Sequence, residues 1–199
     1  MCGYGSSKAS ASASIVPRDM TAIPPSRYNP SDNKNGGLQA AKHFYTMEDK
    51  TALAVDNFMQ GYGCCQSVVA AFADLYGLDQ EMAKRVAAGF GGGVGRMRMM
   101  CGAASALVIL AGLDKGQTEG SDREGKSACY KVVQELMEQF RKDNGSLICA
   151  ELLGIKGPVP MGQYVASERT KEYYKKRPCA AKVESAAHIF AQYLEGKEG

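Results

Sequence analysis

GFGGGVGRMRMMCGAASALVILAGL, residues 89–113, is the stretch whose reading decides the fold. Its first part carries Gly89, Gly91, Gly92, Gly93 and Gly95, and each glycine inside a helix costs about 1 kcal/mol relative to alanine. A regular helix does not survive that density, so a loop is predicted. Its second part, from Cys101 to Leu113, is apolar on almost every face and rich in small residues. That pattern predicts a helix buried on all sides and closely approached by its neighbours.

Outward from this centre the periodicity stays helical. Upstream, Leu53, Val55, Phe58 and Met59 form one apolar face after a capping signal at Thr46. Val68, Val69, Phe72 and Leu75 form a second face that opens at Cys64 or Cys65 and stops at Gly77. Asp79 starts a third helix carrying Met82, Val86 and Ala87. Downstream, residues 122–142 place Ala128, Val132, Val133, Leu136, Met137 and Phe140 at helical spacing, ended by Asn144-Gly145. Ser146 can cap a short helix, and a last helix begins near Pro178 with Val183, Ala186, Ala187, Ile189, Phe190 and Leu194. No alternating strand pattern is present. The expectation is an all-α compact bundle of about six helices, with the glycine-rich loop set before a central buried helix.

Residues 1–45 read differently. They are rich in Ser, Ala, Pro, Asn and Gly without a sustained period, and Pro24, Pro25 and Pro30 each remove a backbone donor. An extended or disordered arm over 1–45, followed by a helical cysteine-containing domain over 46–199, is the predicted organisation. The arm also makes a homodimer an expectation.

Composition excludes several classes of function. The net charge of +3 balances 24 basic against 21 acidic side chains, which speaks against nucleic acid as a partner. No run approaches the roughly 18 apolar residues of a membrane span. Seven cysteines, an odd number, without a secretory start predict free thiols and a cytoplasmic setting. The 7 Cys and 23 Gly, against only 2 His, direct attention to sulfur chemistry.

Cys64, Cys65, Cys101, Cys129, Cys149 and Cys179 contain no Cys-x-x-Cys pair, which disfavours zinc ribbons and thioredoxin-like loops, and no Cys-x-x-Cys-His, which disfavours haem. Cys64 or Cys65, Cys101 and Cys179 each open a predicted helix. Unpaired N–H groups at that position favour thiolate over thiol, the form that ligates metal or attacks disulfides. Cys129 falls mid-helix beside Val132 and Val133 and reads as core packing. His188 reads as a structural histidine on an apolar face, and neither it nor His43 reads as catalytic. The mixed basic and aromatic run 169–177 reads as a solvated face. Met97, Met99 and Met100 could bind soft Cu(I), although gap-filling methionines are commoner.

Three sets of residues together resemble a known family. They are Gly61-Tyr62-Gly63-Cys64-Cys65-Gln66-Ser67, then Gly89 to Met97 with Cys101-Gly102-Ala103, and finally Cys149 before Leu152-Leu153-Gly154 with Cys179. The chain is identified on these as a member of the C_GCAxxG_C_C family of redox-active proteins, similar to the cluster-binding part of split-Soret cytochrome c. The resemblance covers about residues 47–195, and the final glycine of the family motif is Ala106 here.

The resemblance implies Cys64, Cys101, Cys149 and Cys179 as metal ligands, with Cys65 as the alternative to Cys64. It implies an iron–sulfur cluster, [2Fe–2S] first and [4Fe–4S] second, without haem. Four thiolates sharing a low-dielectric site need a cation or must pair oxidatively. Amides of Gly91, Gly92, Gly93 and Gly95 could donate to sulfur, and Arg96 could offset charge. Electron transfer with redox protein partners is the leading expectation. A thiol–disulfide protein centred on Cys64 and Cys65, or a structural zinc module, are the alternatives. The pattern contains no substrate site, so whether the protein is an enzyme stays open.

Overall fold

A computed structural model describes residues 46–157, 159 and 162–197. Among them are eight α-helices and no strand. The expected arm lies outside the described residues.

Local signals start and stop the elements. Helix α1, Met47–Met59, begins at a reciprocal cap: the Asp49 amide donates to the Thr46 hydroxyl at 3.2 Å, and the Thr46 amide to the Asp49 carboxylate at 2.9 Å. Helix α2, Cys64–Phe72, continues into a 3-10 turn, Ala73–Tyr76, which Gly77 ends at φ +62°. Asp79 caps α3, Gln80–Ala88, by accepting from two backbone amides. The central segment forms α4, Gly102–Lys115, and Asp122 caps the long α5, Arg123–Asn144. Three elements complete the chain: α6, Cys149–Leu152, α7, Lys171–Lys176, and α8, Cys179–Glu195.

Helices α2, α4 and α8 pack on one another, with α1 against α2 and α8, and α5 against α4 and α8. Most of α4 is buried as predicted, from Gly102 to Leu107 and again at Leu110 and Ala111, but Gly112 and Leu113 at its end reach the surface. Helix α2 is just as enclosed, buried at Cys65 and from Ser67 to Phe72, because four other helices surround it. Its buried Ser67 hydroxyl donates back to the Gly63 carbonyl at 2.9 Å, so no polar group is stranded. Between α2 and α8 the rings of Phe72 and Phe190 meet edge to face at 5.1 Å. Asp114, near the end of α4, accepts from Tyr193 Oη at 2.7 Å, which ties α4 to the last turn of α8.

Two elements differ from the sequence reading. The helix expected after Ser146 is only one turn, because the preceding residues pair instead as an isolated antiparallel bridge between Met100 and Ile148. The run 169–177, expected as a solvated face, contains α7 and packs Tyr173 and Tyr174 against the core. His188 is exposed rather than facing the core, since the buried face of α8 follows Val183, Ala186, Ala187 and Phe190. Cys129 is half-buried on α5, whose buried residues are Leu136 and Phe140.

Candidate functional site

Four cysteines stand at the starts of four helices. Cys64, Cys149 and Cys179 are the first residues of α2, α6 and α8, and Cys101 is the N-cap of α4. All four line one cavity of about 590 Å³.

Backbone pairing brings these ends together. The Cys101 amide donates to the Leu147 carbonyl at 2.8 Å, and the Cys149 amide to the Met99 carbonyl at 2.6 Å. Two short segments, 98–101 and 147–150, are thereby held side by side. The start of α2 is pressed against the start of α4 at Gly102, where a Cβ would lie 2.9 Å from the Phe90 carbonyl and 3.3 Å from Cys64 Cβ. Only a residue without a side chain permits that approach. The start of α8 arrives through α7, because Tyr174 Oη donates to the Met59 carbonyl at 3.1 Å and Arg169 to the Tyr62 carbonyl at 3.2 Å.

The glycine segment is a left-handed coil. Gly92, Gly93, Val94, Gly95 and Arg96 all have φ between +55° and +75°, and Arg98 follows at +60°. A non-glycine residue in this region costs about 1–3 kcal/mol, and Val94, Arg96 and Arg98 all occupy it. What the strain achieves is placement: Arg96 and Arg98 both line the cavity, and the Arg98 guanidinium favours the thiolate form of Cys149. Within the coil the amides of Gly91, Val94, Gly95 and Arg96 donate to carbonyls of residues 88–91. Gly93 acts as a spacer, since a Cβ there would lie 2.6 Å from Cys149 Cβ.

The sulfurs differ in electrostatic setting. Its interaction with Cys179, burial and the neighbouring sulfurs hold the Cys64 thiol well above its ordinary value. The same interaction, aided by Arg177, Arg169 and Arg98, lowers Cys179 to about 7. Burial raises Cys101 against two helix amides that favour its thiolate, and it raises Cys149 against the Arg98 contact. The expectation that a helix start alone yields a thiolate is therefore corrected. Desolvation outweighs the helix terminus except at Cys179, where the interaction with Cys64 and three guanidiniums add to it. Cys65 lies fully buried in the core and is pushed up to about 12 by burial.

A depressed thiol is charged above its folded-state value and neutral below it. In metal-free protein, Cys179 alkylation by iodoacetamide is expected to reach half its maximal rate near pH 7, and Arg177→Gln moves that midpoint upward. Peptide mass spectrometry across pH measures it. A rate still climbing between about pH 8 and 9, as for an ordinary thiol, contradicts the assignment.

Several lining residues had no sequence signal. Arg169, Tyr173, Arg177 and Lys182 enter the cavity from α7, its approach and α8. Arg169 stacks over Tyr173 at 4.6 Å and over Phe58 at 4.9 Å, and Arg177 over Tyr173 at 4.8 Å. The alternation of cations and tyrosines in 169–177 was the available clue. Met97 and Met99 are exposed, and Met100 packs on the core.

Among the described residues no group of three or more His, Cys, Asp or Glu stands close enough to hold a metal ion. The donor chemistry nonetheless suits a soft metal: four thiols from separate helix starts, cationic neighbours, and a cavity lined by no carboxylate.

A family model described as "Putative redox-active protein (C_GCAxxG_C_C)" matches residues 62–193, more than half of the chain. No curated protein matches, and no solved structure does.

Proposed function

Because the chain belongs to the C_GCAxxG_C_C family of redox-active proteins, we propose that Cys64, Cys101, Cys149 and Cys179 hold an iron–sulfur cluster, [2Fe–2S] in preference to [4Fe–4S]. In this reading the protein carries electrons between redox protein partners. The observation that supports it is the convergence of four cysteines, each at a helix start, on one cavity. Such a cluster, when bound, supplies one-electron oxidation and reduction.

The chain's own residues account for the rest. Helix-start amides and the guanidiniums of Arg98, Arg169 and Arg177 offset the negative charge of four thiolates. Burial of Cys101 and Cys149 limits water at the sulfurs. Cys65 is packed in the core and is not among the cavity-lining residues, which supports Cys64 as the ligand.

Anaerobic reconstitution with iron and sulfide tests the reading. Visible absorption with stoichiometric iron and sulfide is expected, and Cys101→Ser is expected to remove most of both. A colourless, iron-free protein after reconstitution overturns the proposal. Stoichiometric zinc with inert thiols would favour a structural module instead.

One observation favours a second reading: Cys64 and Cys179 line the same cavity, and each shifts the other's titration in opposite directions. There the Cys179 thiolate attacks a substrate disulfide, forming a mixed disulfide and expelling one thiolate. Cys64 then attacks Cys179 Sγ, loses its proton to the expelled thiolate, and releases the second. The protein ends oxidised as a Cys64–Cys179 disulfide, and the substrate gains two electrons. The pair differs from Cys64 with Cys65, because neighbouring residues on a helix point about 100° apart. Recovery of that disulfide from iron-free protein by mass spectrometry would select this reading.

A further inference from the structure

The cavity carries more positive charge than its sulfurs use. Arg96, Arg98, Arg169, Arg177 and Lys182 line it, and among the described residues no Asp or Glu does. A cluster held by four thiolates has a formal charge of about −2, so five cations exceed it by about three. The surplus exists whatever the sulfurs hold.

The cations are also held in place. Arg169 is sandwiched by aromatic rings and donates one amino group to the Tyr62 carbonyl, while its Nη1 is buried without an acceptor. Arg96 is aimed by a left-handed backbone and donates Nη1 to Ser167 Oγ at 3.0 Å, while its Nε is buried without an acceptor. Each guanidinium thus keeps hydrogen-bonding capacity that no group among the described residues satisfies. Buried unsatisfied donors are rare in folded proteins and call for a partner. Fixed guanidiniums with spare donors match the two-oxygen edge of an oxyanion.

We propose that this cavity binds a small oxyanion, a carboxylate or a tetrahedral inorganic anion, between Arg96, Arg169 and Lys182 and beside the sulfurs. The ligand's oxygens accept from the guanidiniums, and the Lys182 ammonium adds charge at the cavity wall. The neighbouring cysteines make this anion a candidate effector or substrate of the redox centre.

Titration calorimetry with phosphate, sulfate and malonate tests it, at ionic strength held constant with chloride, on the iron-free and the reconstituted protein in parallel. Saturable one-to-one binding is expected in both. It should weaken at least tenfold in Arg96→Gln and in Lys182→Gln. Stronger binding of phosphate or sulfate identifies an inorganic anion, and stronger binding of malonate an organic acid. Should Arg96→Gln lose its fold by circular dichroism, Lys182→Gln alone decides. Heat no greater than that from chloride, or affinity unchanged in the folded variant, overturns the proposal. Failure of the cluster reading would show as absent iron and leaves the iron-free arm of this measurement intact.

Discussion

Gly93→Ala is expected to destabilise the domain by about 2–5 kcal/mol and to push Cys149 out of the shared cavity. Two effects act together. Gly93 has φ +75°, where an alanine is strained by about 1–3 kcal/mol. Its new Cβ would also lie 2.6 Å from Cys149 Cβ and 2.9 Å from the Met99 amide nitrogen, so either the coil or α6 must move. Neither neighbour is the yielding end of a long side chain. Equilibrium urea unfolding measures the first effect, and loss of iron uptake with faster Cys149 alkylation measures the second. Gly95→Ala is the comparison: φ is +55° but nothing lies within 4 Å, so backbone strain of about 1–2 kcal/mol is all it should show. Equal stability and equal iron uptake in Gly93→Ala and the native chain would rule out the spacer role.

Phe190→Ala should cost about 3–5 kcal/mol, the usual range for deleting a fully buried phenylalanine. The ring is completely enclosed and meets Phe72 edge to face at 5.1 Å, with Tyr76 and Tyr193 alongside. Because it joins α8 to α2, its loss loosens the helix that delivers Cys179 to the site. Urea unfolding should show a lower midpoint with an unchanged slope, and the Cys64–Cys179 contact should weaken with it. A loss below about 1.5 kcal/mol would mean that α8 is held elsewhere.

Much of the fold was legible because helix signals are local. Thr46, Asp79 and Asp122 act as caps, Gly77 and Gly145 stop their elements, and the apolar stretch after Cys101 is buried as its composition requires. The run 169–177 misled for an equally physical reason. Basic and tyrosine residues in alternation have the composition of a solvated face, yet stacking lets Arg169 and Arg177 lie along aromatic rings at the cavity. The full enclosure of α2 carries no local signal, because a short apolar helix looks the same whether two neighbours or four surround it.

From its order of residues alone, this protein was determined to be helical, interrupted by one glycine coil, and equipped with cysteines at helix starts. Those properties depend on neighbours a few positions away. Only the tertiary structure decided that Cys64 faces the cavity while Cys65 enters the core, and that three guanidiniums surround Cys179 and favour its thiolate. It also decided that Arg169, Arg177 and Lys182 surround the sulfurs. Burial and charge proximity depend on segments far apart in the chain, and no local pattern encodes their distance.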